Sequence, residues 1–280
     1  EQNQKWFEKA NDFFENNQYI KAEEWFRKAA ELGHAKAQLT LGMMYRQGKG
    51  VVQDDSKAEE WFRKAAELGY ARAQNNLGLM YANGEGVPQD AYKAVEWHRK
   101  AAEQGLARAK FRLGVMYKSG DGVARDYSKA VKWFRKAAEQ EYAMAQLKLG
   151  TMYDRGVGFQ EDNVKAVELY RKASEQGLAE AQYRLSTMYR QGEGVSQDDA
   201  KAVEWTRKAA EEGAAIAQYN LGVMYRDGRG VWQEDANKAA EWFRKAAEQG
   251  HAVAQNRLGL MYFIGQGVQE DNTKAKKWYR

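Results

Sequence analysis

The chain has 280 residues, with 44 Lys plus Arg against 39 Asp plus Glu and a formal charge of +5. Hydrophobic residues make up 44% and aromatic residues 12%, enough for a core, which excludes a disordered chain. With no cysteine, a disulfide scaffold, a Cys-ligated zinc site and a thiol nucleophile are excluded, and the redox compartment stays undecided.

In chain order, residues 4–32 read first as a helical hairpin. Trp6, Ala10, Phe13 and Phe14 lie on one helix and Tyr19, Ala22, Trp25, Phe26 and Ala29 on the next, joined by Asn16-Asn17-Gln18. From Ala35 a repeat takes over. Leu-Gly recurs at Leu41, Leu77, Leu113, Leu149, Leu185 (followed by Ser186), Leu221 and Leu258, at steps of 36 and once 37 residues. The extra residue lies in the stretch Gly230-Val231-Trp232-Gln233-Glu234-Asp235. Each unit predicts two helices. The first runs from about Ala35 to Gln47 and stops at Gly48, a C-cap. The second starts after the N-cap Asp54 and stops at Gly69. No segment alternates with period two, so no strands are expected. One hairpin cannot bury its apolar face, but stacked hairpins can, which predicts an all-α fold, an α-solenoid. The sequence ends at Trp278-Tyr279-Arg280, midway through a second helix: either the chain continues or that helix is short. No run approaches the roughly 18 apolar residues of a membrane helix and no signal peptide is visible, while Glu rather than Met at position 1 fits removal of an upstream segment.

The unit resembles the Sel1-like repeat, a relative of the tetratricopeptide repeat with a longer loop in each hairpin. Ala71, Ala73, Leu77, Gly78, Met80, Tyr81, Gly84, Gly86, Val87, Asp90, Ala94, Trp97, Ala101, Ala102 and Gly105 carry the match. Residues 1–34 resemble the shorter tetratricopeptide hairpin, and residues 35–280 read as seven Sel1-like repeats, the last truncated, in one continuous solenoid. The resemblance implies a right-handed superhelix that binds proteins in its concave groove. Such proteins are often bacterial and exported or part of membrane-associated complexes, and some relatives are toxin-immunity proteins. Cysteine-rich relatives carry a disulfide in each repeat, and this chain departs from them. Periplasmic or secreted localisation follows from the resemblance alone, and the cytoplasm stays open.

Several patterns imitate chemistry. The Gly-x-Gly loops, such as Gly84-Glu85-Gly86, join helices, so they read as turns and not as a nucleotide fingerprint. Asp54, Asp90, Asp126, Asp162, Asp198, Asp235 and Asp271 occur once per unit and read as N-caps, not as converging metal ligands. His34 and His251 share a position that elsewhere holds Leu106 and Ala214, which argues against catalysis, and His98 stands where other units have Phe62 and Phe134. Trp61, Trp133 and their equivalents, and Met44, Met80 and theirs, read as core. No catalytic residue, cofactor or metal is expected.

Comparing the repeats with one another separates architecture from freedom. In the first helix Ala37, Gln38, Leu41, Gly42, Met44 and Tyr45 barely change between units. Lys36, Leu39, Thr40, Met43, Arg46 and Gln47 change freely and share the opposite side at 100° per residue. The small residues Ala35, Ala37 and Gly42 place this free face on the concave surface, if they serve contact between neighbouring first helices. The alternative is contact between the two helices of one hairpin. The free face then offers an apolar-aromatic rail of Phe111, Leu147, Tyr183 and Tyr219 beside a basic rail of Arg112, Lys148, Arg184 and Arg257, with Lys118, Arg190 and Arg226 a turn or two further on. These residues are the expected partner-binding set, for an acidic or amphipathic protein segment. The functional expectation is a non-enzymatic interaction scaffold, monomeric alone. An immunity protein is the alternative, and a nucleic-acid-binding solenoid is disfavoured because acidic residues are interspersed throughout.

Overall fold

The computed structural model describes residues 1–279, which are helical hairpins in two compact units, Glu1–Gln140 and Glu141–Arg280. The first unit comprises α1 (Gln2–Glu15), α2 (Tyr19–Glu31), α3 (Ala35–Gln47), α4 (Asp55–Glu67), α5 (Ala71–Asn83), α6 (Ala91–Glu103), α7 (Ala107–Ser119) and α8 (Tyr127–Ala138). The second comprises α9 (Ala143–Asp154), α10 (Asn163–Glu175), α11 (Ala179–Gln191), α12 (Asp199–Glu211), α13 (Ala215–Asp227), α14 (Ala236–Glu248), α15 (Ala252–Ile264) and α16 (Asn272–Trp278). Among the described residues there is no strand. Consecutive helices pack within each unit, so the fold is the expected all-α solenoid of hairpins.

Each recurring residue has a local cause. Every second helix from α4 to α16 starts on an Asp whose Oδ1 accepts the backbone N–H three residues on, at 3.0 Å for Asp54 and 2.9 Å for Asp126. That hydrogen bond, before any other cause, holds the Asp54 carboxyl below the usual range. In the Gly-x-Gly loops the two glycines differ in purpose. The first, such as Gly48 with φ 66°, ends the first helix in the left-handed conformation. The second, such as Gly50, lies against the backbone at the start of the preceding second helix. A Cβ there would stand 2.5 Å from the Tyr19 carbonyl oxygen. The loop is a docking device between consecutive hairpins.

The recurring polar residues are rivets between repeats. Arg63 Nη2 donates to Tyr81 Oη at 3.1 Å, and Arg27–Tyr45, Arg171–Tyr189 and Arg244–Tyr262 repeat the link. Gln38 Nε2 donates to the Ala30 carbonyl at 2.9 Å, as Gln74 does to Ala66. The lysine after Arg27, Arg63 and Arg244 lies on a tryptophan, with Lys64 Nζ 4.2 Å from the Trp61 ring centroid, whereas Leu169 takes the tryptophan's place before Lys172. The methionines of the recurring column are buried as expected, from Met44 and Met80 to Met261.

Two expectations change. The tryptophans are half-buried under their lysines and are not core knobs. The knob is the residue that follows: Phe26, Phe62, Phe134, Tyr170 and Phe243 are fully buried. The Gly42 column also serves the hairpin and not the approach of neighbouring first helices. A Cβ on Gly42 would be 2.5 Å from the Phe62 ring, and one on Gly114 would be 2.6 Å from the Phe134 ring. Glycine is needed because the second helix's ring occupies the place a Cβ would take.

Candidate partner-binding faces

The Leu39 column is where burial departs from the expected free face. Leu39, Asn75, Phe111 and Leu147 are buried, Leu147 completely. Phe111 packs on Phe134 with ring centroids 5.7 Å apart. Tyr183 is half-buried against the core of the second unit. Tyr219 lies 5.6 Å from Phe243 of its own hairpin and stacks on His251, the N-cap of the next first helix, at 4.9 Å and 18°. This column therefore fills the seam between one hairpin and the next. It varies between repeats because any side chain of suitable volume fits, and variability there does not signal exposure. Phe111 and Leu147 offer no open apolar rail, and Tyr183 and Tyr219 offer only their outer edges.

The basic positions are more accessible. In the first unit Arg112 is exposed on α7 and Lys118 half-buried in its last turn. In the second unit Arg190 and Arg257 are exposed, and Lys148, Arg184 and Arg226 are half-buried. Carboxylates sit among them. Glu180 lies 4.0 Å from Lys148 Nζ and 3.8 Å from Arg184 Nη2, long contacts between accessible groups that contribute little. Asp227 accepts from Arg226 at 2.6 and 3.1 Å, and this pairing, with Arg229 and Arg257 nearby, holds its carboxyl below the usual range. Asp154, the acidic member of the Arg46 column, accepts from the Tyr170 hydroxyl at 3.1 Å. The second unit's face is thus a mixed, net-basic surface with Arg190 and Arg257 as its most open cations. Repeat comparison could have found Glu180 and Asp227, since both occupy freely varying columns.

The histidines have structural employment. His34 and His251 accept the N–H of Ala37 and Ala254 at 3.2 Å each, as helix N-caps, and His34 stacks on Phe7 at 4.4 Å. His98 is buried in the knob position, against Gly78. Among the described residues no group of three or more His, Asp or Glu could hold a metal, and no helix is long and apolar enough to cross a membrane.

The Sel1 repeat family model matches residues 15–34, 35–70, 71–106, 107–142, 143–178, 179–213, 215–251 and 252–280, nearly the whole chain. The chain belongs to the Sel1-repeat family. Sel1 repeats generally serve protein–protein interaction. No curated protein matches this Sel1-repeat chain. Among solved structures it is similar to c5321, a protective antigen of uropathogenic Escherichia coli with the same repeat fold: 39% identity, TM-score 0.88, over 99% of this chain. The chain spans only 60% of that antigen's length. It is also similar to a Sel1 repeat protein of Oxalobacter formigenes, with 42% identity and TM-score 0.75, covering 92% of this chain and 74% of that one. The immunity protein Pa5087 of Pseudomonas aeruginosa is 22% identical, with TM-score 0.44 over 75% of this chain and 79% of that one, a likeness that carries no argument about function.

Proposed function

We propose that this Sel1-repeat protein is a non-enzymatic adaptor that binds a partner protein on the exposed faces of its first helices. One observation carries the reading. Riveted positions and, apart from the seam column of Leu39, buried ones repeat from unit to unit, whereas the accessible first-helix positions carry a non-repeating set, such as Arg72, Arg108, Glu180, Ile216 and Val253 in one column. An accessible column free of the repeat's architecture can hold partner-specific chemistry. In the second unit the open cations Arg190 and Arg257, with Lys148, Arg184 and Arg226 beside them, suit a segment bearing carboxylates. Charge there sets encounter and register, and the edges of Tyr183 and Tyr219 supply apolar contact.

The test is quantitative capture by immobilised wild type, by Arg184→Glu with Arg190→Glu, and by the second-helix control Lys100→Gln with Lys208→Gln. A protein held by wild type and control but lost from the first variant supports the reading. Loss from the control alone would place binding on the other face.

A further inference from the structure

One column of the second helices is glutamate in six of them and lysine in α8 and α16. The residue before the tryptophan column is Glu24, Glu60, Glu96, Glu168, Glu204 and Glu241, but Lys132 in α8 and Lys277 in α16, and of these two only α8 is described through its following turn. In three of the six helices that carry Glu, it pairs with the lysine one turn on: Glu96–Lys100 at 2.9 Å, Glu168–Lys172 at 2.7 Å, Glu204–Lys208 at 2.9 Å. In α8 the same geometry sets Lys132 against Lys136, like charges at i,i+4, which disfavours the helix. No residue of Tyr127–Ala138 is acidic. Among the described residues no carboxylate lies within ion-pair distance of Lys132 or Lys136. A local rule broken without a compensating contact inside the fold points to a contact outside it.

The helix also lines a cleft of about 580 Å³, formed by Tyr117 of α7 and by Lys129, Lys132, Trp133, Arg135 and Lys136 of α8, with Glu139 beyond its end. Trp133 is half-buried, with Lys136 Nζ 4.7 Å from its ring centroid, so part of an aromatic surface borders the cations. Lys129 is engaged by Asp126 at 3.4 Å, and Glu139 is the one carboxylate in the lining. Lys129, Lys132 and Lys136 follow i, i+3, i+7, one helix stripe about 10 Å long. An extended peptide places same-face side chains about 7 Å apart, so two carboxylates span that stripe while an apolar side chain meets Trp133 and Tyr117.

We propose that this cleft on α8 is a binding site for a short, extended, acidic segment of a partner protein that also bears an aromatic or aliphatic residue. The occupant follows from charge complementarity: the lining offers two cations without an internal counter-charge beside an aromatic surface. Glu139 and Asp126 at its two ends oppose a continuous phosphate backbone and favour a segment of limited length. The site lies on a second helix and does not depend on the first-helix faces.

The probe is a fluorescein-labelled, end-capped octapeptide of alternating glutamate and phenylalanine, followed by fluorescence anisotropy at low and moderate salt. Wild type should bind it, more weakly as salt rises. Lys132→Glu, which installs the glutamate that six other second helices carry, should weaken binding at least tenfold while the melting temperature stays at or above that of wild type. Glu96→Lys should create a second site, because Tyr81, Lys93, Trp97, Arg99 and Lys100 already stand in the matching places on α5 and α6. Arg184→Glu with Arg190→Glu should leave the peptide affinity unchanged, which separates this site from the first-helix faces. No binding by wild type, or equal binding by Lys132→Glu, overturns the proposal. Tighter binding of a labelled oligouridylate of equal length that is lost in Lys132→Glu would reassign the cleft to nucleic acid.

Discussion

Hairpins α5–α6 and α11–α12 replace the same glycine–aromatic contact in opposite ways. In α11–α12 both partners change together. Ser186 takes the glycine's place and Thr206 the ring's, their hydroxyls lie 2.7 Å apart, and Thr206 Oγ1 also donates to the Ala202 carbonyl at 2.7 Å. The added volume on one helix is matched by lost volume on the other, and every new polar atom has a partner. In α5–α6 only the ring changes. Gly78 stays, His98 replaces the phenylalanine, and Asn75 takes the neighbouring seam position that Phe111 holds in the next hairpin. His98 Nδ1 and Asn75 Oδ1 are buried without a hydrogen-bond partner. A polar substitution in a packed seam is cheap when its hydrogen bonds close and costly when they do not.

The largest expected effect breaks this comparison with acid. Burial first, and the charge of Arg112 second, lower the His98 pKa from 6.5 to about 4. The native hairpin therefore holds the imidazole neutral, while the unfolded chain takes up a proton near pH 6.5. Stability is complete above that pH, falls between about 6.5 and 4, and falls no further from this group below 4. Two and a half units correspond to ~3 kcal/mol across the window. His98→Phe should remove this slope and also raise stability at pH 7, read as urea midpoints at pH 7 and 4.5. Identical pH slopes in variant and wild type would show that His98 titrates normally in the folded chain.

The middle effect sharpens the comparison from the other hairpin. Thr206→Phe alone would drive a ring into the space that Ser186 occupies, costing about 1–3 kcal/mol as overpacking. Ser186→Gly added to it restores the pairing used at Gly42–Phe62 and should recover most of the loss. The readout is hydrogen exchange in α11 and α12, which follows local stability in a chain of repeats. Full additivity of the two changes would mean that the columns are not coupled.

Much of the architecture was legible in the sequence because its determinants are local and repeated. Asp54 caps its helix through a carboxylate oxygen that reaches the N–H three residues on, Gly48 ends one, and Met44 and its equivalents are core in every unit. The binding face was less legible. Leu39 and Phe111 vary as freely as Lys36 and Arg108, yet the first two fill a seam, and helical angle alone does not tell that seam from solvent. Trp133 and Phe134 are adjacent and both aromatic, and only the packing of the second helix shows that Phe134 is the knob while Trp133 lies under Lys136. Lys132 was visible in the column of glutamates, but its meaning required the structure to show that Lys136 gains no other carboxylate.

The smallest effect concerns the outer faces, where the two hairpins agree. Glu96–Lys100 on α6 and Glu204–Lys208 on α12 are both i,i+4 pairs at 2.9 Å. All four side chains are at least 45% exposed, so each pair contributes only a few tenths of a kcal/mol. Glu204→Lys would convert α12 to the arrangement of α8, with Lys208 facing a like charge. Loss of a weak attraction and gain of a weak repulsion together should cost about 0.5–1 kcal/mol at low salt. Screening over a Debye length of about 8 Å should reduce most of that at physiological ionic strength. Urea midpoints in 10 mM and 500 mM salt would read the difference. A cost that persists at high salt would mean that position 204 acts through packing of its stem rather than charge. In that case Lys132 in α8 would be tolerated for its stem as well, and its charge would lose its claim to be out of place.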